Sequence, residues 1–142
     1  MAGGVKEVGP TGRPIRDFRE PPPLKNHGPA RVIALCNQKG GVGKTTTAIS
    51  LGGALAEYGR SVLVIDFDPQ GALSAGIGAN AHDTITIYDL LIGREKDVRK
   101  AIQSTKTPGI HVIPANIDLA AAEVHLVSEV AREQILSRVL KP

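Results

Sequence analysis

Aromatic residues supply only 3% of this 142-residue chain. That scarcity excludes an aromatic-rich sandwich core and leaves Val, Ile, Leu and Ala to build the interior, a composition that suits a buried parallel sheet. A single cysteine, Cys36, excludes an internal disulfide and makes a cytosolic chain the natural expectation. Its place just before a glycine-rich loop suits a small buried core residue better than a nucleophile. No apolar run reaches membrane-spanning length, and the opening MAGGVKEVGPTGR has no signal-peptide apolar region. No internal repeat is visible. The four histidines, His27, His82, His111 and His125, show no ligand spacing, which argues against a metal site built on them. The net charge of +3 is mild and no stripe gathers the cations, so the charge permits nucleic-acid contact without arguing for it.

What is present is 42% apolar, enough for one domain with a core. Residues 1–29 stand apart. They carry Pro10, Pro14, Pro21, Pro22, Pro23 and Pro29 with several glycines and few apolar residues, and read as a flexible tail. Pro21-Pro22-Pro23 is a short polyproline II candidate for a partner-binding arm. Order is expected from residue 30 to 142. RVIALCN reads as a buried strand, and TTTAISLGGALAEYG as a helix closed by Gly59. SVLVIDFD is a second buried strand ending in two acids. DPQGALSAGIGAN is a glycine-rich loop with one helical turn. TIYDLLIG and EKDVRKAIQ are short helices, Pro108-Gly109 is a turn, and IHVIP is a third strand. Asp118 is placed as the cap of a last helical segment broken near Ser128, with Arg132 and Glu133 on its solvated face. This alternation predicts an α/β fold, a parallel sheet with flanking helices and right-handed crossovers. Ligands in such sheets bind at the carboxyl ends of the strands, where both the glycine loop and the Asp66/Asp68 pair fall.

The chemistry concentrates in NQKGGVGKTT, Asn37 to Thr46. The ordinary phosphate-loop pattern asks for glycine where this chain has Gln38. Gly40, Gly41 and Gly43 nevertheless remove the Cβ atoms that keep a backbone from wrapping a ligand. The loop leads into a helix N-terminus, whose free N–H groups and dipole favour an anion. Lys44 can neutralise phosphate charge, and Thr45 offers a hydroxyl to Mg²⁺. At ordinary residue frequencies GG-x-GK-[ST] arises by accident in about one chain of this length in a few thousand. Nucleotide binding through Gly40, Gly41, Val42, Gly43, Lys44, Thr45 and Thr46 is therefore the expectation. Asp66 and Asp68 would share a face if their strand continued that far. Alternatively, one of them caps the turn that Pro69-Gln70-Gly71 makes.

KGGVGKTT followed by VLVIDFDPQG resembles the ParA-type (ParA/Soj) chromosome and plasmid partitioning ATPases, in the deviant phosphate-loop class that also holds MinD-type proteins. DFDPQG points to the ParA branch, and IPANIDLAAAEVHL is also similar to it. The resemblance covers roughly residues 30–142. It implies an incomplete phosphate-loop NTPase fold of the SIMIBI type, with ATP and Mg²⁺ as cofactors and hydrolysis coupled to homodimerisation. Lys39 is then the signature lysine that reaches the phosphates bound by the partner subunit, a cation supplied in trans; otherwise it is a solvated loop lysine. The same resemblance gives catalytic roles to Lys39, Lys44 and Asp68, the last holding the attacking water. It gives Mg²⁺ contacts to Thr45 and, indirectly, Asp66. It also implies a ParB-like centromere-binding partner, DNA bound without sequence preference, no membrane, and a cytoplasmic, nucleoid-associated location.

ParA-type domains are longer than this chain. A further strand ending in an aspartate, in a DxxPS-like context, would be expected beside the strand that feeds the loop, and no such stretch occurs before residue 142. The chain therefore reads as an N-terminal portion, with Arg31–Asn37 exposing ladder groups and apolar side chains, and with marginal stability and feeble turnover alone. A MinD-like membrane-associated switch and an inactive interaction module are the alternative readings.

Overall fold

The computed structural model describes Val8 and residues 28–141. The expectations for the Pro/Gly-rich leader, Pro21-Pro22-Pro23 included, lie almost wholly outside these residues. In chain order the elements are α1 (Lys44–Glu57), β1 (Val62–Ile65), α2 (Ala72–Gly76), α3 (Ile87–Leu91), β2 (Gln103–Ser104), β3 (Ile110–Ile113), α4 (Ala122–Leu126) and α5 (Ile135–Val139). Short 3-10 turns cover Val98–Ala101, Ile117–Ala121 and Arg132–Gln134.

The strands form one sheet in the order β1-β3-β2. β1 and β3 are parallel, with Val62 opposite Ile110 and Ile65 opposite Ile113. β2 runs antiparallel to β3, so the sheet is mixed where a purely parallel one was expected. Two residues closing back after a short loop are enough for an antiparallel edge, which needs no crossover helix.

Side-chain alternation assigns the two faces of the sheet. Val62, Val64 and Ile110 turn toward α1, where a Cβ on Gly52 would lie 3.5 to 3.9 Å from them. Gly52 is thus the point where helix and sheet approach closest, and the buried residue of α1. On the other face Ile113 joins Ile87, Tyr88, Leu90, Leu91, Ala101, Ala115, Leu119, Ala122 and Ile135 in one buried cluster, with Ile65 packed against it. α3 is set onto this face by its start. Thr86 and Asp89 form a reciprocal capping box, and the Ile87 N–H donates to the Pro114 carbonyl at 2.9 Å, satisfying amides that the helix leaves free.

Four expectations need correction. EKDVRKAIQ is not an α-helix: it holds only the 3-10 turn Val98–Ala101, and its last residue, Gln103, begins β2, pairing with Val112. Arg31–Asn37 joins no ladder, and its residues are exposed throughout. Val32 is 87% and Ile33 63% accessible. An apolar run becomes a buried strand only where a neighbour takes its N–H and C=O groups, and none of the described strands does. Cys36 accordingly is exposed, not a core residue. Asp118 is not the cap: the Asn116 side chain accepts from the Asp118 N–H at 3.1 Å, and Asp118 sits in the first turn of the 3-10 segment. Two residues earlier in the chain, an Asx side chain reaches the free amide that Asp118 itself carries. The break expected near Ser128 falls at residues 127–131, ending at Ala131 with φ of +54°.

Candidate functional site

The phosphate loop is shaped by where left-handed backbone is needed. Gly41 and Gly43 have φ of +68° and +84°, values that cost an L-residue about 1–2 kcal/mol. Gln38 is absent from the positive-φ residues. The glycine of the ordinary pattern is not required there, and its replacement does not disturb the loop. A Cβ placed on Gly40, Gly41 or Gly43 would meet nothing within 4 Å. The space over the loop is open, so these glycines serve backbone conformation and access, not packing.

Gly43 caps α1 without any side-chain bond, and the Thr47 N–H is the one that reaches back to the Gly43 carbonyl, at 2.8 Å. The amides of Lys44, Thr45 and Thr46 precede the first intrahelical bond and have no carbonyl behind them. They open at the positive end of a 14-residue helix, where an anion is favoured. The Lys44 ammonium folds back over the loop and donates to the Lys39 carbonyl at 3.3 Å. The Lys39 N–H donates to Asn37 Oδ1 at 2.9 Å, which leaves the exposed Lys39 side chain projecting from a pinned backbone. Open glycines, free amides and a folded lysine fit a nucleotide's phosphates.

The two acids have separate environments. β1 ends at Ile65, and the Asp66 N–H continues the pairing by donating to the Ile113 carbonyl at 3.1 Å. Asp66 is 3% exposed. Its Oδ1 accepts the Asp68 N–H at 3.1 Å. Its Oδ2 accepts both the Ser74 N–H at 2.9 Å and the Ser74 hydroxyl at 2.6 Å. Asp68 is exposed and accepts the Gln70 N–H at 3.0 Å, an Asx turn of the kind Pro69-Gln70-Gly71 invites. The shared face that continued alternation would have given them is not formed, because the strand stops before either acid.

No hydrogen bond among the described residues joins the loop to these acids. α1 brings them to one edge. Its late residue Ala56 lies against Gly109 at the start of β3, and Ile49 near its beginning lies 3.0 Å from a Cβ position on Gly76 of α2, beyond the acids. The helix therefore runs against the strands, with its N-terminus at their carboxyl ends, where open α/β sheets bind ligands. Sequence reasoning missed Ser74. Its signal was a lone hydroxyl within the apolar turn ALSAG, eight residues after Asp66.

Comparison with known proteins identifies the chain's relatives. An AAA-domain family model matches residues 30–142. An uncharacterised protein of Mycobacterium tuberculosis is 52% identical over 136 residues, 95% of this chain and 43% of the relative. The chromosome partitioning protein ParA of Caulobacter vibrioides is 52% identical over 99 residues, 69% of this chain and 37% of the relative. Among solved structures, cobyrinic acid a,c-diamide synthase from Mycobacterium smegmatis, with bound ADP and magnesium, superposes with a TM-score of 0.69 at 43% identity, over 74% of this chain and 42% of that one. The chain thus spans less than half the length of the relatives it matches. Loop, acids and sheet edge together with these matches show that the chain belongs to the ParA-type partitioning ATPase family, within the AAA-domain class.

Proposed function

We propose that this chain carries the ATP-binding half-site of a dimerising DNA-partitioning ATPase. The observation that carries the reading is the opening of α1. A left-handed Gly43 presents three free amides and the folded Lys44 to open space, an arrangement that suits the phosphates of a nucleotide. In this reading the amides of Gly41 to Thr46 and the Lys44 ammonium bind and orient the phosphates, with Val42 shaping the wall of the loop. Thr45 offers its hydroxyl to magnesium, which supplies charge neutralisation when bound. Asp66, with both oxygens already engaged by the protein, supports the metal site indirectly. Asp68, exposed beyond it, holds and orients the attacking water. Positioning of this kind is most of what phosphoryl transfer asks of a protein.

Lys39 completes the reading. Its backbone is pinned by Asn37 and its side chain is exposed, the disposition expected of a cation delivered to a second copy's phosphates. ATP then closes a homodimer that holds DNA without sequence preference. A ParB-like centromere-binding protein stimulates hydrolysis and releases it, in the cytoplasm at the nucleoid. Among the described residues no helix is long and apolar enough to cross a membrane. Substituting Lys39→Ala in the whole protein tests the switch. ATP should still bind each monomer, while ATP-dependent dimerisation is lost and turnover falls at least about a hundredfold. Unchanged dimerisation and turnover would exclude a role in trans.

A further inference from the structure

Ser74 is 1% exposed and lies behind the acids. Its hydroxyl bridges two segments far apart in the chain. On one side it stands 2.6 Å from Asp66 Oδ2; on the other it accepts the Ala115 N–H at 3.1 Å. The direction of the bridge is fixed, since an amide can only donate: the hydroxyl accepts from Ala115 and gives its proton to Asp66. The Ser74 N–H adds a second donor to the same oxygen at 2.9 Å. Asp66 is thereby held with Oδ1 turned to the Asp68 N–H. The Asp68 carbonyl in turn accepts the Gly71 N–H at 2.8 Å. Gly71 itself sits where a Cβ would fall 2.9 Å from the Ala115 carbonyl oxygen. The Asp68 N–H is therefore tied through Asp66 and Ser74 to the segment after β3, and on its carbonyl side the chain runs through Gly71 in close approach to that same segment.

We infer that Ser74 is a positioning residue for Asp68. It does not reach the nucleotide. It orients the Asp66 carboxylate, and through that carboxylate the peptide from which Asp68 presents its side chain to water. This inference rests on the reading of Asp68 as the residue that holds the attacking water. Removing the hydroxyl leaves the buried Ala115 N–H without its partner and takes away one of the two donors that hold Asp66 Oδ2, the Ser74 N–H alone remaining. A carboxylate displaced by a fraction of an ångström is enough to slow an in-line attack, while the phosphate loop across the edge keeps its grip on ATP.

The test compares Ser74→Ala, Ser74→Cys and Ser74→Thr in the whole protein, with kcat and KM for ATP measured separately. Alanine and cysteine should lower kcat about tenfold with KM changed less than about twofold. Threonine, which keeps the hydroxyl, should hold kcat within about threefold of the parent. Cysteine and threonine keep the comparison decisive if alanine does not fold. A parental kcat in the cysteine variant would overturn the inference. So would a threonine variant as slow as cysteine, or a KM that rises as kcat falls. An Asp68→Ala protein that still turns over ATP at the parental rate would remove the underlying reading instead, and so separates the two failures.

Discussion

At the residue scale, what was legible depended on how local the cause is. Gly41, Gly43 and Lys44 act through backbone torsion, a helix end and their own charge, all contained within a few consecutive residues. The left-handed torsions of Gly41 and Gly43 fall within that short stretch. Gln38 shows the same logic in reverse, since no left-handed torsion falls on it and the missing glycine has no structural cost. Asp66 was legible as an acid at a strand end but not as a buried one. Its burial depends on Ser74, and Ser74 depends on Ala115, 41 residues further on; no window of sequence holds all three. Gly71 belongs to this group as well. Its φ is +61° and the Ala115 carbonyl leaves no room for a Cβ. Gly71→Ala should destabilise the fold by about 2 kcal/mol or more, strain and collision adding, and urea unfolding would measure it. The corresponding change at Gly40, with open space around it and no positive φ, should cost much less.

At the element scale, α1, β1, α3 and β3 formed where expected, while EKDVRKAIQ gave a 3-10 turn and a strand end where a helix was expected. β1 and β3 follow the apolar runs VLVI and IHVI. α3 lies within TIYDLLIG, and the structure adds the Thr86–Asp89 capping box at its start. β2 falls partly on EKDVRKAIQ, which reads as a helix, because two residues carry no pattern of their own; only pairing with β3 defines the strand. Arg31–Asn37 is the opposite case. Its residues read as a buried strand, yet a strand is a relation between neighbours, and no described strand supplies the ladder. Val32, Ile33 and Leu35 of this segment are exposed, and no described strand takes up its ladder groups. Amide hydrogen exchange on these 142 residues should find residues 31–37 unprotected while Val112 and Ile113 in β3 exchange slowly. Protection of 31–37 equal to that of β3 would mean that the segment is laddered in solution.

At the scale of the whole molecule, the core sits on the far side of the sheet from the phosphate loop. It is built by β3, α3, α4 and α5, while α1 buries little beyond Gly52. The half that would do the chemistry is thus the less buried half, and it belongs to a chain spanning 43% of the relative that matches 95% of it. Such an arrangement sets the proposed nucleotide-binding edge on a helix whose apolar flank is only partly covered. In the proposed function this edge grips ATP through the α1 N-terminus. Isothermal titration of the chain with ATP and magnesium, beside a Lys44→Ala control of matched folding by circular dichroism, tests it most directly. Saturable binding weakened at least about tenfold by the substitution is the expected result, as one charge-assisted contact to phosphate is lost. Equal affinity in both proteins would contradict the assignment of this loop as the nucleotide site.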